Sequence, residues 1–153
     1  MTIRAITAVL VAVSFVSGLN AQSSGKSFRR CDGRIFKEER PETVRDVRIF
    51  WQDFQDALRQ NDKQHLAAMA NYPLSVSFRG RKLKIHSEKD LAAQYAEVFP
   101  SSLRAMLLRQ SIDCVGRVGW RGFTVAEGQI WFDQYPDGKF RFLAVNAVVY
   151  AGD

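Results

Sequence analysis

Asp113 stands between Ile112 and Cys114, the one carboxylate of the chain in an apolar sequence setting. Desolvation raises a carboxyl pKa toward neutrality, where the group can accept a proton in catalysis. That makes Asp113 the candidate general base. The plain alternative is a strand-edge Asp paired with Arg109 or Arg117. Asn146 and Gln134 are candidate ligand contacts. A polar amide on an apolar strand face either meets a guest or satisfies neighbouring backbone groups. Gln134 also lies close to a hairpin tip, where simple solvation is the alternative. His65 and His86 have no Cys, His or acidic neighbour at ligand spacing, so no metal site is expected. No cofactor motif stands out. Gly25-Lys26-Ser27 has the look of a phosphate loop but lacks the upstream Gly and a strand–helix setting. The chain holds no Gly-x-Ser-x-Gly elbow.

The N-terminus sets where this chemistry would operate. Arg4, an apolar run from Ala5 to Val16 and Gly18-Leu19-Asn20-Ala21 have the layout of a secretory signal cleaved after Ala21. The apolar run is shorter than the roughly 20 residues a membrane span needs. No Cys comes directly after the cleavage window, Cys31 lying ten residues on, which argues against a lipoprotein anchor. The expected organisation is a signal at residues 1–21, a polar arm at 22–40 and one α+β domain at 41–153. Export makes the product periplasmic or extracellular, with no membrane span after cleavage. Losing Arg4 leaves 21 basic and 16 acidic side chains. Such a charge suits envelope polymers, lipid headgroups or acidic proteins better than nucleic acid, for which no recognition motif is present. A solvated basic surface is the simpler account. In an oxidising compartment Cys31 and Cys114 are candidates for a disulfide closing a loop of about 80 residues. The alternative is two unpaired thiols, with Cys114 packed as a small hydrophobe.

Periodicity supplies the elements. Val44, Val47, Phe50, Trp51, Phe54 and Leu58 define an amphipathic helix of about 18 residues opened by Pro41. Asn61-Asp62 breaks it and caps a short helix that Tyr72-Pro73 ends. Leu74, Val76 and Phe78 then alternate with polar residues. A Gly80-Arg81 turn would pair Phe78 with Leu83 and Val76 with Ile85. Ser87 and Asp90 cap a helix through Leu91, Tyr95, Val98 and Phe99, and further helical turns follow Pro100. Strands are expected at Ile112 to Val118, Phe123 to Gln134 and Lys139 to Tyr150. A Pro136-Asp137-Gly138 loop would pair Phe132 with Phe142, Ile130 with Ala144, Asp133 with Arg141 and Trp131 with Leu143. Phe140, Phe142, Ala144 and Asn146 would then share the core face. Trp131, Leu143 and Val145 would form an apolar outer face needing cover, with a second subunit as one possibility. Trp51 and Trp131 together invite sugar stacking, but packing explains both.

The element order, with Gly119-Trp120-Arg121-Gly122-Phe123 and Gly128-Gln129-Ile130-Trp131-Phe132, resembles the nuclear-transport-factor-two-like superfamily. The likeness is to its small exported bacterial members and spans roughly Pro41 to Tyr150. That resemblance implies a curved antiparallel sheet wrapped around the N-terminal helix, a cone with an open pocket. It also implies a convex Trp131 face at which family members often dimerise. The superfamily includes ketosteroid isomerase, scytalone dehydratase and non-catalytic binding domains, so fold alone assigns no activity. An isomerase would need Asp113 beside a Tyr donor, with Tyr95 or Tyr72 as candidates. The family's catalytic motif has no residue-by-residue match here. The leading expectation is a non-enzymatic exported domain binding a small ligand or an envelope protein, with Asn146, Gln134 and Tyr95 as contacts. A lyase or isomerase using Asp113 is the alternative. A third is an enzyme inhibitor or immunity protein steered by its basic charge.

Overall fold

The computed structural model describes residues 34–78 and 80–147. The signal segment, Cys31 and residues 148–153 lie outside them. Helix α1 spans Pro41–Gln60, two residues longer than its periodicity suggests. Pro41 suits its first turn, where a missing N–H costs nothing. Asn61 ends it in the left-handed conformation, at φ 53°. Val47, Phe50, Trp51, Phe54, Ala57 and Leu58 bury one face, while Val44 yields its expected place to Thr43. In α2, Lys63–Ala68, the Asp62 carboxylate accepts the His65 N–H at 2.9 Å.

Pro73 does not mark the end of that helix. It lies inside strand β1, Ala70–Phe78. The pairing of β1 with its neighbour is interrupted between Ala70 and Ser75, and its other partner joins only at Leu74. A residue without an N–H fits there because no ladder bond is due. Strand β2, Arg81–Ile85, pairs Phe78 with Arg81, Val76 with Leu83 and Leu74 with Ile85. The expected register was off by two. Gly80, at φ +75°, takes the second central position of the turn rather than the first. A slip of two keeps every side chain on its face, so Leu74, Val76 and Ile85 are still buried.

Three short helices follow: α3 (Glu88–Ala93), α4 (Tyr95–Val98) and α5 (Ser101–Arg109). The predicted single helix is divided at Gln94. Ile112–Cys114 is a 3-10 turn rather than a strand. The Ser111 hydroxyl accepts the Asp113 N–H at 3.2 Å, a local bond that competes with strand pairing. The sheet is completed by β3 (Gly116–Arg117), β4 (Phe123–Val125), β5 (Ile130–Gln134) and β6 (Phe140–Ala147). Its order is β2-β1-β6-β5-β4-β3. The β1–β6 pair is parallel, so this α+β fold carries a curved mixed sheet and not an all-antiparallel one. No helix among the described residues is long and apolar enough to cross a membrane.

Aromatic rings fill the space between α1 and the sheet. Phe50 stacks on Phe132 at 4.9 Å between centroids, and Phe54 meets Phe142 edge-on at 5.4 Å. Phe99 and Phe123 close the two flanks of this cluster. A β-bulge decides what the other side of the sheet presents. Asp133 faces Arg141 and Phe132 faces Phe142 as expected, but Trp131 then faces Ala144 and Ile130 faces Val145. Leu143 is the extra residue. Beyond it every side chain changes face. Val145, expected at the outer interface, is fully buried, whereas Ala144 and Asn146 turn outward.

Candidate functional site

The outward face of β5 and β6 floors a groove of about 590 Å³. Trp131, Leu143, Ala144 and Asn146 come from the strands, and Asp133 to Pro136 from the hairpin end. Trp120 and Arg121 supply one wall from the 3-10 turn Gly119–Arg121. Glycine makes that wall possible. Gly122 has φ +84°, and a Cβ there would lie 2.6 Å from the Phe132 carbonyl oxygen. The Val118 N–H donates to the Gly122 carbonyl at 2.9 Å and closes the turn. Trp120 is left 88% exposed, with the Arg121 guanidinium 5.5 Å from its ring centroid.

The floor is held more rigidly. The Trp131 indole N–H donates to the Gly128 carbonyl at 3.0 Å, and the Asn146 amide donates to the same oxygen at 2.6 Å. At the hairpin end, Arg141 forks onto Asp137 at 3.1 and 2.5 Å and not onto its cross-strand neighbour Asp133. This bond, with the Lys139 N–H, holds the Asp137 pKa down at about 2. Burial raises the Tyr135 pKa; Asp133 adds to the rise and Arg141 opposes it.

The sequence candidates distribute unevenly. Gln134, Asn146, Trp131 and Leu143 converge on the groove, so expected ligand contacts and expected interface residues are one surface. Asn146 is on the face opposite to the one its alternation predicted, because of the Leu143 bulge. Gln134 also borders a second cavity of about 480 Å³ beside Glu39, Arg40, Thr43 and Arg117. There Arg117 pairs with Glu39 at 2.9 Å. Asp113 is a surface residue. Its carboxylate accepts from Arg48 at 2.7 Å, and both side chains are 45% exposed. The expected partners Arg109 and Arg117 do not take it.

No Tyr among the described residues joins Asp113. The Tyr72 hydroxyl donates to the Ala67 carbonyl at 2.8 Å. Tyr95 is buried under the Lys63 and Arg104 cations, and its hydroxyl has no well-formed hydrogen bond among the described residues. Burial raises its pKa and Arg104 pulls against that rise. Tyr95 is therefore a packing residue outside the groove. His65 faces Asp53 at 2.8 Å, and no metal-holding cluster occurs among the described residues. No described cysteine is free, and Cys31 lies outside the described residues. Trp120, Arg121 and Tyr135 were not among the expected site residues, and Trp120 and Arg121 entered only through the Gly119–Phe123 motif of the resemblance. The two glycines bracketing Trp120-Arg121 were the available signal, since paired positive-φ positions project what lies between them.

The fold and groove define the class: an α+β domain with a curved sheet packed on an aromatic-rich helix and a groove on the sheet's outer face. No family model and no curated protein matches the chain. Among solved structures it is similar to a ketosteroid isomerase-like protein from Shewanella frigidimarina NCIMB 400. The identity is 10% and the TM-score 0.40, over 66% of this chain and 93% of that one.

Proposed function

We propose that this chain is an exported, non-enzymatic binding domain of nuclear-transport-factor-two-like architecture that holds its guest in the outer-face groove. The observation that carries this reading is the groove itself. Its volume is in the range of ligand sites, and it combines an apolar floor with a few fixed polar groups. Export rests on the N-terminal signal layout, and a Cys31–Cys114 disulfide would tie the arm to the domain. Rings occupy the space beside α1, which favours binding on the outside of the sheet over chemistry within it. The isomerase alternative loses its base, because Asp113 is exposed and bound to Arg48.

The test immobilises the mature protein, Trp120→Ala and Trp131→Ala, and compares what each retains from a cell-envelope extract. Wild type should hold a component that both variants lose while all three share the same circular dichroism. Equal retention by all three would sink the reading. Self-association through the same face is the competing occupant, and sedimentation of wild type alone would reveal it as a dimer that Trp131→Ala dissociates.

A further inference from the structure

We infer that the groove takes a neutral glycan segment, its sugar rings lying on Trp120 and Trp131 and its hydroxyls donating to Asp133, Gln134 and Asn146. This rests on the binding reading above and names the class of guest.

Charge comes first. The chain carries +6, yet the groove lining holds one cation, Arg121, and one anion, Asp133. Arg141, the nearby second cation, is engaged by Asp137. The net charge that suggested anionic partners is therefore absent from the groove, which suits an uncharged guest.

Hydrogen-bonding capacity narrows the choice. Asn146 commits its amide N–H to Gly128, and Gln134 commits its own to the Gly138 carbonyl at 3.0 Å. One Asp133 oxygen accepts the Gln134 N–H at 2.9 Å. That leaves each amide its oxygen and a second N–H, and Asp133 its other oxygen, as groups of the groove lining still able to bond. Hydroxyls around a sugar ring both donate and accept, so they match the amides as well as the carboxylate. The flat C–H face of the ring then rests on indole. Trp131 is locked for this by Gly128, and Trp120 offers the large exposed surface that packing does not use.

A peptide fits less well. Strands β5 and β6 are interior in the sheet order, so no free edge is present for strand addition. An extended chain crossing the groove would bury backbone N–H and C=O groups with only side chains to meet them.

Titration with soluble chito- and malto-oligosaccharides, followed by tryptophan emission, tests the assignment. A saturable blue shift is expected with at least one of the two series. Trp120→Ala and Gln134→Ala should each weaken it about tenfold at unchanged thermal midpoint, since both side chains are exposed. A flat titration with both series overturns the glycan assignment. If groove variants still lose an envelope component in that case, the binding reading survives without it. Binding only to anionic polysaccharides, abolished by salt, would also overturn it and assign the effect to the basic surface.

Discussion

At the scale of single residues, charge partners separate structural carboxylates from reactive ones. Asp113 has the apolar sequence neighbours of a general base, yet Arg48 reaches it from α1 across 65 positions of chain. An exposed pair of this kind contributes under about 1 kcal/mol. Asp113→Asn should therefore shift a urea midpoint only slightly and leave groove binding intact; a lost guest would return Asp113 to the site. Asp137 behaves oppositely. Its folded pKa lies at about 2, below the ordinary 3.8, so its contribution is present above pH 4 and disappears as pH falls through 2. A carboxyl-carbon NMR titration should give that low midpoint, and Arg141→Gln should return it toward the usual range. Neither pair was legible in the sequence. Asp113–Arg48 is a long-range contact, and Asp137–Arg141 depends on the hairpin's final geometry.

At the scale of elements, turns and bulges set what each strand presents. The Pro136-Asp137-Gly138 loop was readable because Gly138 must take φ +79°, and it correctly paired Phe132 with Phe142. Leu143 was not readable as a bulge, since nothing in the local alternation marks one extra residue. Its effect on function is large: it buries Val145 and turns Asn146 outward. Gly122 is the corresponding pivot for the opposite wall. Gly122→Ala would place a methyl against Phe132 and Asp133 at a left-handed φ. A destabilisation of about 1–3 kcal/mol is expected in urea unfolding, with loss of groove binding beyond that of Trp120→Ala. Unchanged stability would show that the turn is not pressed on β5. The first hairpin shows the converse case. Its register slipped by two without consequence for burial, because strand faces repeat with that period.

At the scale of the whole molecule, the core and the covalent framework can be tested together. Phe54→Ala removes a ring that touches Phe50, Trp51, Phe99 and Phe142, at an expected cost of about 3–5 kcal/mol. Equilibrium denaturation measures it. For the proposed disulfide, thiol counting on the unreduced exported protein should find none. Cys114→Ser should lower stability by up to about 4 kcal/mol, the loop-closure value for a link of this span. Two titratable thiols would refute the bond. Intact mass of exported material should correspond to a chain beginning at Gln22, and an unprocessed mass would remove the signal reading.

The type and order of the longer elements were determined locally, though Ile112–Cys114 and residues 70–73 took other forms than expected. An apolar stripe at helical spacing made α1, capping by Asp62 and Ser87 started α2 and α3, and alternation made the hairpin strands. Burial also followed for most of the core, because helix and strand periods assign faces without reference to partners. The tertiary structure alone decided the parallel β1–β6 pairing, the Leu143 bulge and the Arg48 capture of Asp113. These depend on which distant segments meet and in what register, and short-range propensity contains no term for that. The candidate site was therefore half visible. Gln134, Asn146, Trp131 and Leu143 stood out as residues, but one inserted position in β6 brought them to a common surface.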